Sequence, residues 1–201
     1  MSLVIDYYLA PQSPWTYFGH ARLVQMAQQA GATVRIKPMD LGGQIFPATG
    51  GLPVGQRPPQ RQAYRLVELQ RFSHFLHMPF NLKPKFFPVA GDDAARLIIA
   101  VDQHDGVDAA LKLCGAVLAA VWVQERDIAD ASVLQAILKE QGVAADRWEA
   151  AKAPPAQEAY MAYTRQAMDA GVFGAPSYVV DDEIFWGQDR LDFLQRRLQS
   201  A

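Results

Sequence analysis

The sequence predicts an α/β fold in which a small sheet is interrupted by a long helical insertion. Three observations predict it. A strand–helix–strand pattern runs from Leu3 to Pro38, strand-like alternation then disappears until Ser177, and a hairpin followed by a helix closes the chain. With 201 residues, half of them apolar, the chain can bury the core of one domain that carries an insertion.

Taken in order, Val4 to Leu9 is rich in β-branched and aromatic residues and stops at Ala10-Pro11, which reads as a first strand. Ser13 is a favoured N-cap and Pro14 suits the first helical position, so a helix is expected from Pro14 to about Ala30, followed by Gly31. Thr33 to Pro38 alternates and is closed by its proline, which completes a βαβ unit. Asp40 to Pro59 contains Gly42-Gly43, Pro47, Gly50-Gly51, Pro53 and Pro58-Pro59. It reads as a long loop with no element of its own, placed where it covers the mouth of the sheet.

Helical spacing then takes over. Arg61 to Phe75 carries Leu66, Leu69 and Phe72 on one face, and Phe80 to Pro88 is irregular. Asp92-Asp93 starts a helix reaching His104, and Val107 to Arg126 reads as a nearly apolar one. Ala131 to Gln141 is short and amphipathic, Asp146 to Ala151 adds a turn, and Pro154-Pro155 opens a helix ending at Gly171. The period returns to two in Ser177 to Val180 and Glu183 to Trp186, joined by Asp181-Asp182 as a hairpin. Asp189 is expected to cap a last helix with Leu191, Leu194 and Leu198 facing inward. This order matches a thioredoxin-like fold with an all-helical domain inserted. Residues 1–57 and 172–201 form the thioredoxin-like part and 58–171 the insertion.

Charge and cysteine usage narrow the function classes. A net charge of −2, without a lysine or arginine run, argues against nucleic acid as a partner. The longest apolar run, Leu113 to Val123, falls well short of the ~20 residues a bilayer requires and reads as a buried helix. No basic, apolar leader opens the chain. Cys114 is the one cysteine, so dithiol chemistry is excluded, and a reducing cytoplasm is the expected compartment.

Two stretches carry the candidate chemistry. The first strand delivers the Ser13 hydroxyl to a helix N-terminus at the carboxyl edge of the sheet, where open α/β sheets bind ligands and where anions or thiolates are stabilised. A plain helix cap is the competing reading. The second stretch is Gly174-Ala175-Pro176-Ser177, a proline at the start of a strand. In thioredoxin-like folds this proline is usually cis, and the residue before it offers backbone groups to a bound peptide. His20 reads as a surface or core residue, and Cys114 as core. His74 and His77 lie three apart, but no third ligand completes a metal site in sequence.

These stretches also carry a resemblance. Ser13-Pro14-Trp15-Thr16-Tyr17, Gly174-Ala175-Pro176-Ser177 and Phe185-Trp186-Gly187-Gln188-Asp189-Arg190-Leu191 resemble the 2-hydroxychromene-2-carboxylate isomerases. These are glutathione-dependent members of the DsbA-like and kappa-class glutathione transferase superfamily, and the similarity spans nearly the whole chain. Ser13 and Thr16 stand where redox relatives keep a Cys-X-X-Cys pair. The resemblance implies that Ser13 donates a hydrogen bond to the sulfur of bound glutathione, with Ala175 and Pro176 holding its cysteinyl backbone. It further implies that Gln188 and Asp189 meet its γ-glutamyl end. The thiolate adds to the conjugated double bond of the ring-opened substrate, the single bond rotates, and elimination leaves the trans product.

Trp15, Arg57, Arg61, Lys83 and Lys85 are the candidates for contact with a small aromatic carboxylate substrate, and Trp186 is divided between core and pocket lining. Relatives are often homodimers. Two departures stand out: Gly51-Leu52 follows Ala48-Thr49-Gly50 where relatives commonly carry an asparagine, which leaves that loop contact open, and Ala10-Pro11-Gln12 makes a longer approach to Ser13. Two other readings compete: a kappa-like glutathione transferase, which would consume glutathione stoichiometrically, and a non-catalytic thiol- or peptide-binding module, indifferent to Ser13→Ala.

Overall fold

Two parallel strands set the frame. In the computed structural model, which describes residues 3–200, β1 (Val4–Leu9) pairs in parallel with β2 (Thr33–Pro38) through the helix α1 (Pro14–Ala30). Met1, Ser2 and Ala201, the ends of the two thioredoxin-like segments expected above, lie outside the described residues. The strand β3 (Ser177–Val180) returns antiparallel to β1, and β4 (Glu183–Trp186) pairs antiparallel with β3, giving the order β2-β1-β3-β4. The hairpin turn places both Asp181 and Asp182 at positive φ, as a two-residue turn matched to strand twist demands. Aspartate tolerates that backbone region better than most side chains, so the turn forms without glycine.

Period-two patterning divides the sheet into two faces. Ile5, Tyr7, Leu9, Val34, Ile36, Tyr178, Val180 and Phe185 point into the larger core beneath α1 and the inserted helices. Tyr8, Val179 and Ile184 point the other way, into a smaller core with Met39, Ile45, Ala167 and Val172. On that second face the partly buried Asp6 binds Arg35 and Lys37, and the Lys37 ammonium lies 5.2 Å from the centre of the Tyr8 ring.

The stretch expected as a featureless loop folds into short turns instead. A π-type turn (Leu41–Ile45) is capped by the Asp40 carboxylate accepting from the Gly43 N–H at 2.7 Å. The helix α2 (Phe46–Thr49) follows at once, then a 3₁₀ turn (Val54–Gln56). Each hydrogen-bonds locally, which is why their glycines and prolines hid them from a periodicity argument.

In chain order, the helices α3 (Pro59–Phe75), α4 (Asp92–Asp105), α5 (Val107–Trp122), α6 (Ala131–Glu140), α7 (Arg147–Lys152) and α8 (Pro154–Asp169) run between β2 and β3. The apolar helix α5 ends at Trp122 rather than at Arg126. Its last carbonyls are taken from outside: Asn81 donates its backbone N–H to Trp122 at 2.7 Å and its side-chain amide to Val123 at 3.0 Å, while Glu125 turns the chain at positive φ. The irregular stretch between α3 and α4 is therefore stitched onto α5. Phe80 stacks on the buried Trp122 ring at 5.0 Å, Phe87 tilts against it at 4.8 Å, and Tyr17 donates its hydroxyl to the Pro79 carbonyl at 2.7 Å. Asp130 caps α6 by accepting from the Ser132 N–H at 2.7 Å. Asp130→Ala is expected to lower unfolding free energy by ~1 kcal/mol in urea titration, and an unchanged midpoint would contradict the cap.

A short 3₁₀ turn (Gln188–Arg190) leads into α9 (Leu191–Gln199), whose Leu191, Leu194 and Leu198 are buried as expected. The expected capping by Asp189 does not occur. Arg190 precedes the helix without a side-chain cap, and Asp189 instead accepts from the Arg190 guanidinium at 2.7 Å. The 3₁₀ turn explains the correction, because it moves Asp189 one step too far from the first helical N–H groups.

Candidate active site

Ser13 closes the turn out of β1. Its backbone N–H binds the Ala10 carbonyl at 3.0 Å and its hydroxyl oxygen accepts from the Thr16 N–H at 3.2 Å, the N-cap expected from sequence. With Pro14 lacking a donor and Thr16 and Tyr17 bonded to Ser13, the Trp15 N–H is the first-turn donor left without a partner among the described residues. A donor and a hydroxyl thus sit at the positive end of α1.

The second stretch arrives from the far end of the chain. Ala175-Pro176 is cis, and the Ser13 hydroxyl donates to the Ala175 carbonyl at 3.4 Å across 162 positions of sequence. That bond is long enough for the hydroxyl to swing to another acceptor at little cost. The Ala175 N–H makes no hydrogen bond among the described residues, so an extended backbone can pair with it. Pro176 is anchored through its carbonyl, which accepts from the Gly187 N–H at 2.8 Å.

The neighbouring candidates separate. Gln188 is 1% exposed, wedged against Gly19, with its amide oxygen accepting from Arg22 at 3.2 Å. Its side-chain Nε2 is buried without a hydrogen-bond partner among the described residues, whereas Asp189 beside it is exposed. Trp186 is half exposed and packs edge-on against Phe173 at 4.6 Å, covering Gly174, so it belongs to the surface beside the cis proline rather than to the core. Thr16 is fully buried with an unpartnered hydroxyl. Gly51 lies flat on the Phe46 ring, where any Cβ would collide, so this loop has no room for an asparagine at position 51.

His20 is a core residue. Its Nε2 faces the Leu111 carbonyl at 2.9 Å, which can only accept, and its Nδ1 therefore accepts from the Tyr7 hydroxyl at 3.2 Å. Burial drives its pKa down to about 4. Burial likewise raises that of Cys114, which is inert core.

The basic candidates separate into two groups, around the start of α3 and in the irregular stretch after it. Trp15 meets Phe72 of α3 edge-on at 5.8 Å. Arg57, half-buried, donates to the Leu52 carbonyl at 2.8 Å, and burial and Arg61 lower its pKa. Arg61 is exposed on the first turn of α3. Lys83 and Lys85 are exposed further along, Lys85 on the rim of an open groove formed with Phe86, Phe87, Pro88 and Asp127. Sequence reasoning passed over Arg65. It follows Arg61 at one helical turn, a spacing that could have flagged it.

The comparisons with known proteins fit this geometry. A 2-hydroxychromene-2-carboxylate isomerase of Sphingobium xenophagum is 29% identical over 199 residues, covering 98% of this chain and 99% of that protein. The solved structure of a 2-hydroxychromene-2-carboxylate isomerase superposes with a TM-score of 0.78 at 26% identity, over 98% of this chain and 95% of the other. The cytosolic disulfide reductase DsbM from Pseudomonas aeruginosa, solved with GSH, shares the fold with a TM-score of 0.70 at 19% identity, over 98% and 100% of the two chains. The isomerase relatives support an enzyme with isomerase activity. No helix among the described residues is long and apolar enough to cross a membrane. The DSBA-like thioredoxin domain model matches residues 4–199, and the chain belongs to that family.

Proposed function

We propose that this chain is a glutathione-dependent isomerase of 2-hydroxychromene-2-carboxylate or a related aromatic enone acid. The observation that carries the reading is the convergence of Ser13 on Ala175 beside a cis proline, with no cysteine at either position. A dithiol enzyme needs its own sulfur there. This site instead presents a hydroxyl, two free N–H groups and a helix N-terminus, an arrangement suited to an incoming thiolate. Glutathione would supply the sulfur nucleophile that adds to the substrate's conjugated double bond, frees it to rotate, and leaves again.

The protein's own groups have distinct tasks. Ser13 and the Trp15 N–H donate to the sulfur, and the backbone of Ala175 pairs with the cysteinyl unit. Asp189 faces the γ-glutamyl ammonium, while Gln188 acts from beneath by fixing Arg22 against the 3₁₀ turn. Trp15 contributes an apolar wall for the aromatic ring.

Calorimetric titration with glutathione, followed by a spectrophotometric assay on the chromene, tests the reading. Binding with turnover that leaves glutathione unconsumed is expected. Absence of binding at millimolar glutathione would refute the proposal, and stoichiometric consumption would make the chain a transferase. Asp189→Asn is expected to weaken glutathione binding by about 3- to 10-fold, as loss of one exposed charge contact does; equal affinity would remove Asp189 from the site.

A further inference from the structure

We propose that Arg65 is the anchor for the substrate's carboxylate, holding it between α3 and the Phe87 to Gly91 segment. The proposal rests on the isomerase reading for the identity of the acid, and on three observations for the site.

The first is an orphaned donor. The Nη2 of Arg65 is buried and has no hydrogen-bond partner, and its guanidinium makes no ion pair among the described residues. The single carboxylate on α3, Glu68, is already held by Arg71 at 2.6 Å. A guanidinium carries five donors in a planar fork suited to a carboxylate, so burying one without an anion is costly unless a ligand completes it.

The second is local field. Arg57 lies beside Arg65, and Arg61 beside Arg57, with no ion pair to either among the described residues; burial, then Arg57, lowers the Arg65 pKa to about 10, so it stays charged at neutral pH. The guanidinium lies 5.2 Å from the centre of the Phe87 ring, which fixes its plane. An anion arriving there meets a second guanidinium nearby and an aromatic ring.

The third is position. Arg65 shares the inner face of α3 with the buried Leu69 and with Phe72, whose ring meets Trp15. Seven residues of helix separate Arg65 from Phe72, a rise on the order of 10 Å. The Phe87 to Gly91 segment links the two regions from the other side, because Gly91 packs directly on the side-chain amide of Gln12, immediately before Ser13. Gln12 Oε1 is itself buried without a partner. One segment therefore touches Arg65 at Phe87 and the residue before Ser13 at Gly91, which connects the carboxylate anchor to the sulfur site.

The test uses the full chain and trans-benzylidenepyruvate, titrated calorimetrically without glutathione, beside the methyl ester of the same compound. The wild type is expected to bind the acid about tenfold more tightly than the ester, and Arg65→Met to abolish that preference. Failure of the wild type to prefer the acid, or an unchanged preference in Arg65→Met, overturns the proposal. Should Arg65→Met not fold, as judged by thermal unfolding, Arg65→Lys decides, since it keeps the charge and loses the fork. A loss of preference of about threefold supports the anchor, and an unchanged ratio overturns it. A wild type that prefers the acid through Arg65 yet shows no glutathione-dependent turnover sinks the isomerase reading and leaves the anchor standing.

Discussion

Ser13→Ala is expected to lower kcat at pH 7 by about 10- to 100-fold while leaving glutathione affinity within about threefold. The magnitude follows from the thiol. Free glutathione sulfur, with a pKa near ~8.5, is only a few per cent ionised at neutral pH. A hydrogen bond to a charged acceptor contributes ~1.5–3 kcal/mol, and one pKa unit corresponds to ~1.4 kcal/mol, so Ser13 can shift the thiol by about one to two units. Removing the hydroxyl reverses that shift, and the pH–rate profile should move upward by the same interval. The glutathione contacts proposed at Ala175 and Asp189 do not involve this hydroxyl and are expected to survive. The measurement is kcat and KM against pH, together with calorimetric glutathione affinity. A variant with wild-type kcat and an unmoved profile would remove Ser13 from the chemistry. Thr16 is no substitute, because its hydroxyl is sealed beneath the first turn.

The second large effect is on stability. His20 is buried neutral, with a folded pKa of about 4 against an ordinary value of 6.5. The unfolded chain takes up a proton as pH falls below ~6.5, whereas the folded chain resists until about pH 4. Its contribution is thus complete above pH 6.5 and lost as pH falls toward 4, by about 3 kcal/mol over the interval. Other groups titrate in the same range. Burial raises the pKa of Asp102, which opposes the trend, while Arg147 lowers that of Asp105, whose contribution is lost only at more acid pH. The comparison that isolates His20 is His20→Gln, whose amide can still donate to Leu111 and accept from Tyr7 without titrating. Urea midpoints at pH 7 and pH 4.5 should show the wild type losing stability relative to the variant as the solution is acidified. A pH-independent difference would contradict the buried neutral imidazole.

Residues whose partners are close in sequence were legible beforehand. Ser13 caps Thr16 three positions on, Gly31 ends α1, and alternation in Val4–Leu9 and Ser177–Val180 set the sheet faces. The pairing of Ser13 with Ala175 needed the fold as an intermediate step, since no local rule connects positions so far apart. Three features escaped because contacts outside any periodic pattern decide them. The helix α5 stops where Asn81 captures its carbonyls, Asp189 turns to Arg190 once a 3₁₀ turn displaces it, and Gln188 is pulled inward by Arg22. Arg65 escaped for the opposite reason. Its spacing from Arg61 could be read from the sequence, but its missing partner in a buried place could not.

The separation between Ser13 and Ala175 has a consequence for how the molecule is born. On a ribosome the N-terminal strand and its serine emerge first, and the inner edge of β1 then waits for β3 through the synthesis of the whole insertion. At roughly 5–20 residues per second that wait lasts on the order of ten seconds. The contact between Ser13 and Ala175 is thus among the last features to be assembled, and its presence certifies that translation and folding have both reached their end.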